Sequence, residues 1–198
     1  MSDKGDPVLA AFYETGAYLG GHFRLTSGLH SPHYLQCALV LQHPVHAERF
    51  GRLLASQLRE LAQGSSLTAV VSPAIGGLII GHEVARALGV RFVFAERDAT
   101  GAMALRRGFS VEPTDWVVVV EDVITTGGST REVVKLISEA GARVVGAGSI
   151  MDRSGGTADV GVPRVALKTL EVTTFDPEHC PLCKAGSQAV KPGSRPAA

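Results

Sequence analysis

Apolar residues along this chain change their period several times, and each change marks an element. Pro7 to Glu14 repeats apolar residues at helical spacing and stops near Gly16, which predicts a first helix. The segment HFRLTSGLHSPHYLQCALVL, residues 22–41, reads instead as extended pieces broken at Gly28 and Pro32, a hairpin-like insert. Pro44 stands where a second helix can begin, and Val45, Phe50, Leu53, Leu54, Leu58 and Leu61 give it an apolar face before Gly64. An alternation of strands and helices follows: strand LTAVV (67–71), helix GGLIIGHEVARAL closed by Gly89, and strand VRFVF (90–94). Strand WVVVV (116–120), a helix from Ser129 to Ala140 ended by Gly141, and strand RVVGAGSIM (143–151) complete it. These strands are apolar on both faces, as strands covered on both sides must be. With helices between them they predict an α/β fold, a doubly wound parallel sheet. The tail KAGSQAVKPGSRPAA (184–198) is polar and rich in Gly, Pro and Ser, so it is expected not to pack.

Length and charge narrow the class. A chain of 198 residues with 45% hydrophobic content supports one good core with small additions. Its 19 basic and 19 acidic residues cancel, so no global field draws nucleic acid or an anionic membrane. No basic stretch or helix-turn-helix segment is left over for DNA. No segment approaches the apolar length of a membrane span, and MSDKGDPVLAAF lacks a basic patch ahead of an apolar run. A soluble cytoplasmic protein is the expectation. Cys37, Cys180 and Cys183 are too few for a disulfide framework and read as reduced thiols.

The chemistry concentrates in VVVVEDVITTGGST, residues 117–130. Ligands of open α/β sheets bind beyond the carboxyl ends of the strands, and Glu121 and Asp122 are expected there. Thr125 to Ser129 can then curl so that backbone N–H groups converge at the start of the next helix, with glycines allowing close approach. That arrangement suits a phosphate. The acids would repel a phosphate they touched, so they must serve another part of the same ligand, such as vicinal hydroxyls or a developing positive charge. A phosphorylated sugar meets both requirements. A plainer alternative stands beside this one, in which Asp122 caps a turn and Gly127-Gly128 closes an ordinary βα connection. Neither GxxxxGK[ST] nor GxGxxG occurs, which disfavours a P-loop ATPase or a simple dinucleotide domain.

The same run of apolar residues, two acids, two further residues and TTGGS resembles the phosphoribosyl pyrophosphate loop of type I phosphoribosyltransferases. LTSGLHSPHYLQC, SPAIGG and MDRSGG resemble the base-covering segment, the pyrophosphate loop and the last motif strand of the orotate phosphoribosyltransferase family. The resemblance implies a single phosphoribosyltransferase domain over residues 1–175, with an N-terminal hood at about 15–42, a core at about 44–171, a mobile loop or hairpin, and a C-terminal segment at 176–198. It implies that Glu121 and Asp122 hold the ribose hydroxyls. Val123, Ile124, Thr125, Thr126, Gly127, Gly128 and Ser129 then form the loop around the 5-phosphate, and Ala74, Gly76 and Gly77 face the pyrophosphate. It also implies Mg²⁺ held mainly through substrate rather than by a protein cage, a homodimer, and a place in pyrimidine biosynthesis. Thr125, Tyr34 and Arg153 are the residues assigned to orotate. Arg153 is placed by the sheet as well: its strand ends at Met151, at the edge that carries the phosphate loop, and a guanidinium fork matches a carboxylate. A purine phosphoribosyltransferase and a noncatalytic sensor of phosphoribosyl pyrophosphate are the competing functions.

Several residues admit two readings. The resemblance puts Arg97 in a loop that closes over pyrophosphate, reaching a neighbouring subunit, while a surface pair with Asp98 is the plain alternative. Arg106 and Arg107 read as solvated positions on a hairpin strand. His30, His33 and Tyr34 can edge a base pocket, with Tyr34 the favoured one. Many relatives carry lysine where this chain has Gly76 and an arginine-lysine pair where it has Glu96-Arg97, so fewer cations face the pyrophosphate. CPLC at Cys180 to Cys183 has the spacing of half a zinc site. Cys37 and His179 complete a site on paper, as does a second knuckle across a dimer, but free thiols that pack the C-terminal segment are the expectation.

Overall fold

The computed structural model describes residues 5–25 and 27–192. Asp6 opens the first helix, α1 (Pro7–Glu14), because its carboxylate accepts from the amides of Val8 and Leu9 at 2.8 and 3.1 Å. Strands β1 (Tyr18–Arg24) and β2 (His30–Leu35) form a separate antiparallel pair whose register shifts between Gly20 and Phe23. Helix α2 (Cys37–Leu41) follows where the sequence reads as extended, since five apolar residues in a row carry no period to tell helix from strand. Helix α3 (Pro44–Leu61) starts at the expected proline.

The core alternates β3 (Ala69–Pro73), α4 (Gly77–Leu88), β4 (Arg91–Arg97), β5 (Met103–Leu105), β6 (Trp116–Ile124), α5 (Gly128–Glu139), β7 (Arg143–Asp152) and β8 (Arg164–Thr169). The six-stranded sheet has the order β5-β4-β3-β6-β7-β8 and is parallel except for β5, which runs antiparallel to β4. Strand β8 was not anticipated; it lies at the sheet edge, is half-buried up to its exposed last residue and lacks the apolar run of the central strands. One face of the sheet, through Val70, Val118, Val120 and Ile150, packs on α3, α4 and the N-terminal helices. The other, through Val71, Val117, Val119 and Ala147, packs on α5. Val117 to Val120 therefore each serve the face that parity assigns. No described helix is long and apolar enough to cross a membrane.

From β3 the chain goes to β4 on one side, and from β6 to β7 on the other, so the strand order reverses between β3 and β6. That is the crevice where such sheets bind ligands. Strand β6 runs on to Ile124, so Glu121 and Asp122 lie inside the strand rather than beyond it. The consequence is that the two acids face opposite sides of the sheet.

The C-terminal segment returns over the hairpin instead of leaving the fold. Ser31 Oγ donates to the Thr173 carbonyl, and His30 and Phe175 exchange backbone bonds of 2.9 and 2.8 Å. A 3-10 turn (Pro177–His179) and the short α6 (Pro181–Lys184) follow, and Val190 then bonds to β1 through His22 O and Arg24 N, both at 2.8 Å. The expectation that nothing packs from Lys184 onward is corrected up to Val190; residues 193–198 of that tail lie outside the described residues.

Candidate active site

Asp122 turns toward α4 and the hairpin. A Cβ built on Gly76 would stand 2.5 Å from Asp122 Oδ1, and the Cys37 thiol lies 4.0 Å from the Asp122 carbonyl. A side chain at position 76 would press on this carboxylate. Burial raises the Asp122 pKa, opposed by the Val123 amide that Oδ1 accepts at 2.9 Å. Glu121 turns the other way and accepts the Thr130 hydroxyl of α5. Burial pushes its pKa up to about 7, the Asp122 charge adds to the rise, and the Thr130 hydrogen bond opposes it.

Two helix N-termini meet the same edge. Gly127, at φ 75°, precedes α5, and neither α4 nor α5 has a side-chain cap on its first amides. A Cβ at Gly127 would stand 2.8 Å from Val160 Cγ1, so glycine is required there by space as well as by φ. Uncapped amides at a helix start are donors held ready for an anion.

A cavity of about 490 Å³ opens between the hairpin and the sheet edge. Tyr34, Asp122, Val123, Thr125, Thr126 and Arg153 of the expected site line it, together with Cys37 and Val172. Glu121 does not; of the two acids expected to share the ribose hydroxyls, only Asp122 faces this space. Ile124 is buried and contributes its carbonyl, which accepts the Arg153 amide at 2.8 Å. Ala74, Gly76, Gly77, Gly127, Gly128 and Ser129 lie outside the lining, Gly76 against Asp122 and Gly77 against the Val120 carbonyl.

Arg153 is the cation of this cavity. Its guanidinium lies 5.9 Å from the Tyr34 ring centroid, and burial lowers its pKa. Nε is buried with no hydrogen-bond partner. The carboxylate next to it in sequence is committed elsewhere: Asp152 accepts from Arg164 and from the amide and hydroxyl of Ser154. Among the described residues no carboxylate pairs with Arg153, so a half-buried cation lines the cavity.

Arg97 sits at the end of β4 and does not pair with Asp98. Its guanidinium forks onto Glu132 of α5 at 2.8 and 3.2 Å, while Asp98 closes the turn to β5 by accepting from Thr100 and Ala102. The chain between β4 and β5 is a short hydrogen-bonded hairpin turn, and Arg97 does not line the cavity of its own chain. Arg106 and Arg107 are exposed just past β5, where both approach Glu96.

Residues 40–179 match the phosphoribosyl transferase domain family. The orotate phosphoribosyltransferase of Pelotomaculum thermopropionicum is 56% identical over 190 residues, 96% of this chain and 97% of its own. That of Heliobacterium modesticaldum is 53% identical over 191 residues, 96% and 98% of the two chains. The chain belongs to the orotate phosphoribosyltransferase family. The crystal structure of the family member from Aeropyrum pernix superposes with a TM-score of 0.68 at 28% identity, covering 83% of this chain and 94% of that one.

Two features of this family member were not legible beforehand. Thr130 holds Glu121, a contact visible only once α5 is laid on β6. The three cysteines are free thiols, as expected, but the paper alternative of Cys37 and His179 as further ligands does not assemble: Cys37 is buried beside Asp122, and the exposed His179 ring faces Asp176 at 4.0 Å. Neither joins the CPLC knuckle, which instead meets His22 and His30 of the hairpin.

Proposed function

We propose that this chain transfers the ribose 5-phosphate group of phosphoribosyl pyrophosphate to orotate, giving orotidine 5'-phosphate and pyrophosphate in pyrimidine biosynthesis. The observation that carries this reading is Arg153, a cation lining the cavity whose buried Nε has no hydrogen-bond partner among the described residues. Orotate brings a carboxylate to that fork, whereas adenine and guanine bring none. Tyr34 flanks the guanidinium and packs beside the base, with Thr125 at the same wall.

In the reaction the bond from the ribose anomeric carbon to pyrophosphate breaks, the ring nitrogen of orotate forms the new bond, and the proton of that nitrogen passes to solvent. Positive charge develops on the ribose as pyrophosphate leaves. Asp122 faces the cavity and stabilises that charge electrostatically, and its carboxylate also accepts from ribose hydroxyls. Glu121 supports the site from behind by fixing the start of α5 through Thr130. The amides of residues 127–129 hold the 5-phosphate, and those at the start of α4 meet the pyrophosphate.

Mg²⁺, which the family resemblance implies, fits the donor set. Asp122 is a single carboxylate at the cavity, and among the described residues no group of three potential ligands gathers there. One carboxylate plus substrate phosphates suits a cation that keeps several waters. When bound, it offsets charge on the departing pyrophosphate. A homodimer is part of this reading, with Arg97 of one subunit supplying the neighbour's pyrophosphate site. Three free cysteines suit the reducing cytoplasm.

The test is product formation. Purified protein with Mg²⁺ and phosphoribosyl pyrophosphate should consume orotate and yield orotidine 5'-phosphate, with adenine and guanine unused. Turnover of a purine in preference to orotate would refute the assignment of the base, and binding of phosphoribosyl pyrophosphate without turnover of any base would make the chain a sensor.

A further inference from the structure

Away from the cavity, two histidines and two cysteines converge at the seam between the hairpin and the C-terminal segment. We propose that His22, His30, Cys180 and Cys183 bind a structural zinc ion that clips this segment to the hairpin. The inference is independent of the reaction.

The geometry is that of a closed tetrahedral site. All four donor atoms lie within 4.8 Å of one another. His22 Nε2 is 3.0 Å from His30 Nδ1, 3.5 Å from Cys180 Sγ and 3.8 Å from Cys183 Sγ, and Cys183 Sγ is 3.4 Å from His30 Nδ1. A tetrahedron with Zn–N near 2.0–2.1 Å and Zn–S near 2.3 Å has edges of about 3.3 Å between nitrogens and about 3.6 Å between nitrogen and sulfur. The observed separations fall around those values.

Hydrogen bonding among the four does not account for the convergence. His22 Nδ1 lies 3.1 Å from the Ser187 carbonyl, which accepts and so puts the proton on Nδ1. Nε2 is then a lone pair. His30 Nδ1, Cys180 Sγ and Cys183 Sγ all crowd that one lone pair, which can take one good hydrogen bond. A cation placed among them satisfies all four at once. The Ser187 carbonyl acts as the outer partner that orients a ligating imidazole.

The backbone holds the ligands in place. The register shift between Gly20 and Phe23 falls at His22, and bulges of this kind re-aim a side chain. His30 exchanges two backbone bonds with Phe175 on one side of the knuckle, and Val190 bonds to His22 O and Arg24 N on the other. His22, His30 and Cys180 are buried, and Cys183 at the surface gives an entry path. A polar cluster of this kind with no apolar core beneath α6 needs another source of cohesion, since α6 has no buried residue of its own.

The experiment is metal analysis of the full chain, purified under reducing conditions without chelator and dialysed after incubation with zinc. Wild type should hold about one zinc per chain, as a closed four-ligand site does. Cys183→Ser, which alters an exposed side chain, and His30→Gln should each hold less than about a tenth of that, because three ligands retain zinc far less tightly than four. Circular dichroism checks that both variants fold. After zinc removal, cobalt should produce the visible d–d bands of a tetrahedral thiolate site in wild type only, and hydrogen exchange should rise in residues 22–30 and 173–190. Wild type that takes up no zinc, or variants that keep it, would overturn the proposal, as would a Cys180–Cys183 disulfide that persists in reductant.

Discussion

Replacing Glu121 by Gln should change how stability depends on pH, with a sign that burial dictates. The carboxyl is held at about 7 in the fold against an ordinary value of 4.5. Between those values the folded chain keeps a proton that the unfolded chain has released, so stability falls as pH rises through the window. The cost is absent below the unfolded value and complete above about pH 7. The difference between 4.5 and about 7 corresponds to roughly 3 kcal/mol at about 1.4 kcal/mol per pH unit. Glutamine keeps an oxygen to accept from Thr130 and cannot ionise, so the variant escapes this cost. Urea unfolding of both ligand-free proteins, at one protein concentration and several pH values between about 5 and about 8, isolates the effect by difference. The variant should gain on wild type by roughly 2 to 3 kcal/mol across that range. Asp122, also raised, tilts both curves alike and leaves most of the difference intact. Parallel curves would show that Glu121 is not held protonated and would refute the electrostatic picture of β6.

Asp122→Asn should fold like wild type in a thermal melt yet turn over about 10²- to 10³-fold more slowly, the usual loss when a preorganised stabiliser of transition-state charge is removed; unchanged steady-state kinetics would remove Asp122 from the mechanism. Mixing Asp122→Asn chains with Arg97→Ala chains should recover activity through one intact composite site per dimer. If none returns although subunit exchange is verified by mass spectrometry, each chain supplies its own Arg97.

What could be read in advance followed from local pattern. The run Val117 to Val120 and the glycines after Asp122 place a strand, a turn and a helix start from short-range rules alone, and the strand and the helix are both present. Arg153 was legible because its position past a strand end puts it at the ligand edge. The opposed directions of Glu121 and Asp122 were lost because the strand was ended at Val120, although period-two alternation, extended by two residues, gives them. Helix α2 carries no period, and β8 is an edge strand without an apolar run, so neither announced itself. The histidine–cysteine cluster was out of reach for another reason: His22 and Cys180 are 158 positions apart, and only the return of the C-terminal segment over the hairpin joins them. Gly76 is a similar case: that Asp122 stands in the space a side chain there would need is visible only in the fold.

The measurement that bears most directly on the central claim is binding of each substrate to Arg153→Ala. Removing one partner of a buried charge pair costs roughly 2 to 5 kcal/mol, or about 30-fold to several thousand-fold in affinity. Orotate should therefore bind at least about 30-fold more weakly to the variant by calorimetry, with Mg²⁺ phosphoribosyl pyrophosphate bound nearly as in wild type. Unchanged orotate affinity, or equal weakening of both ligands, would contradict the account.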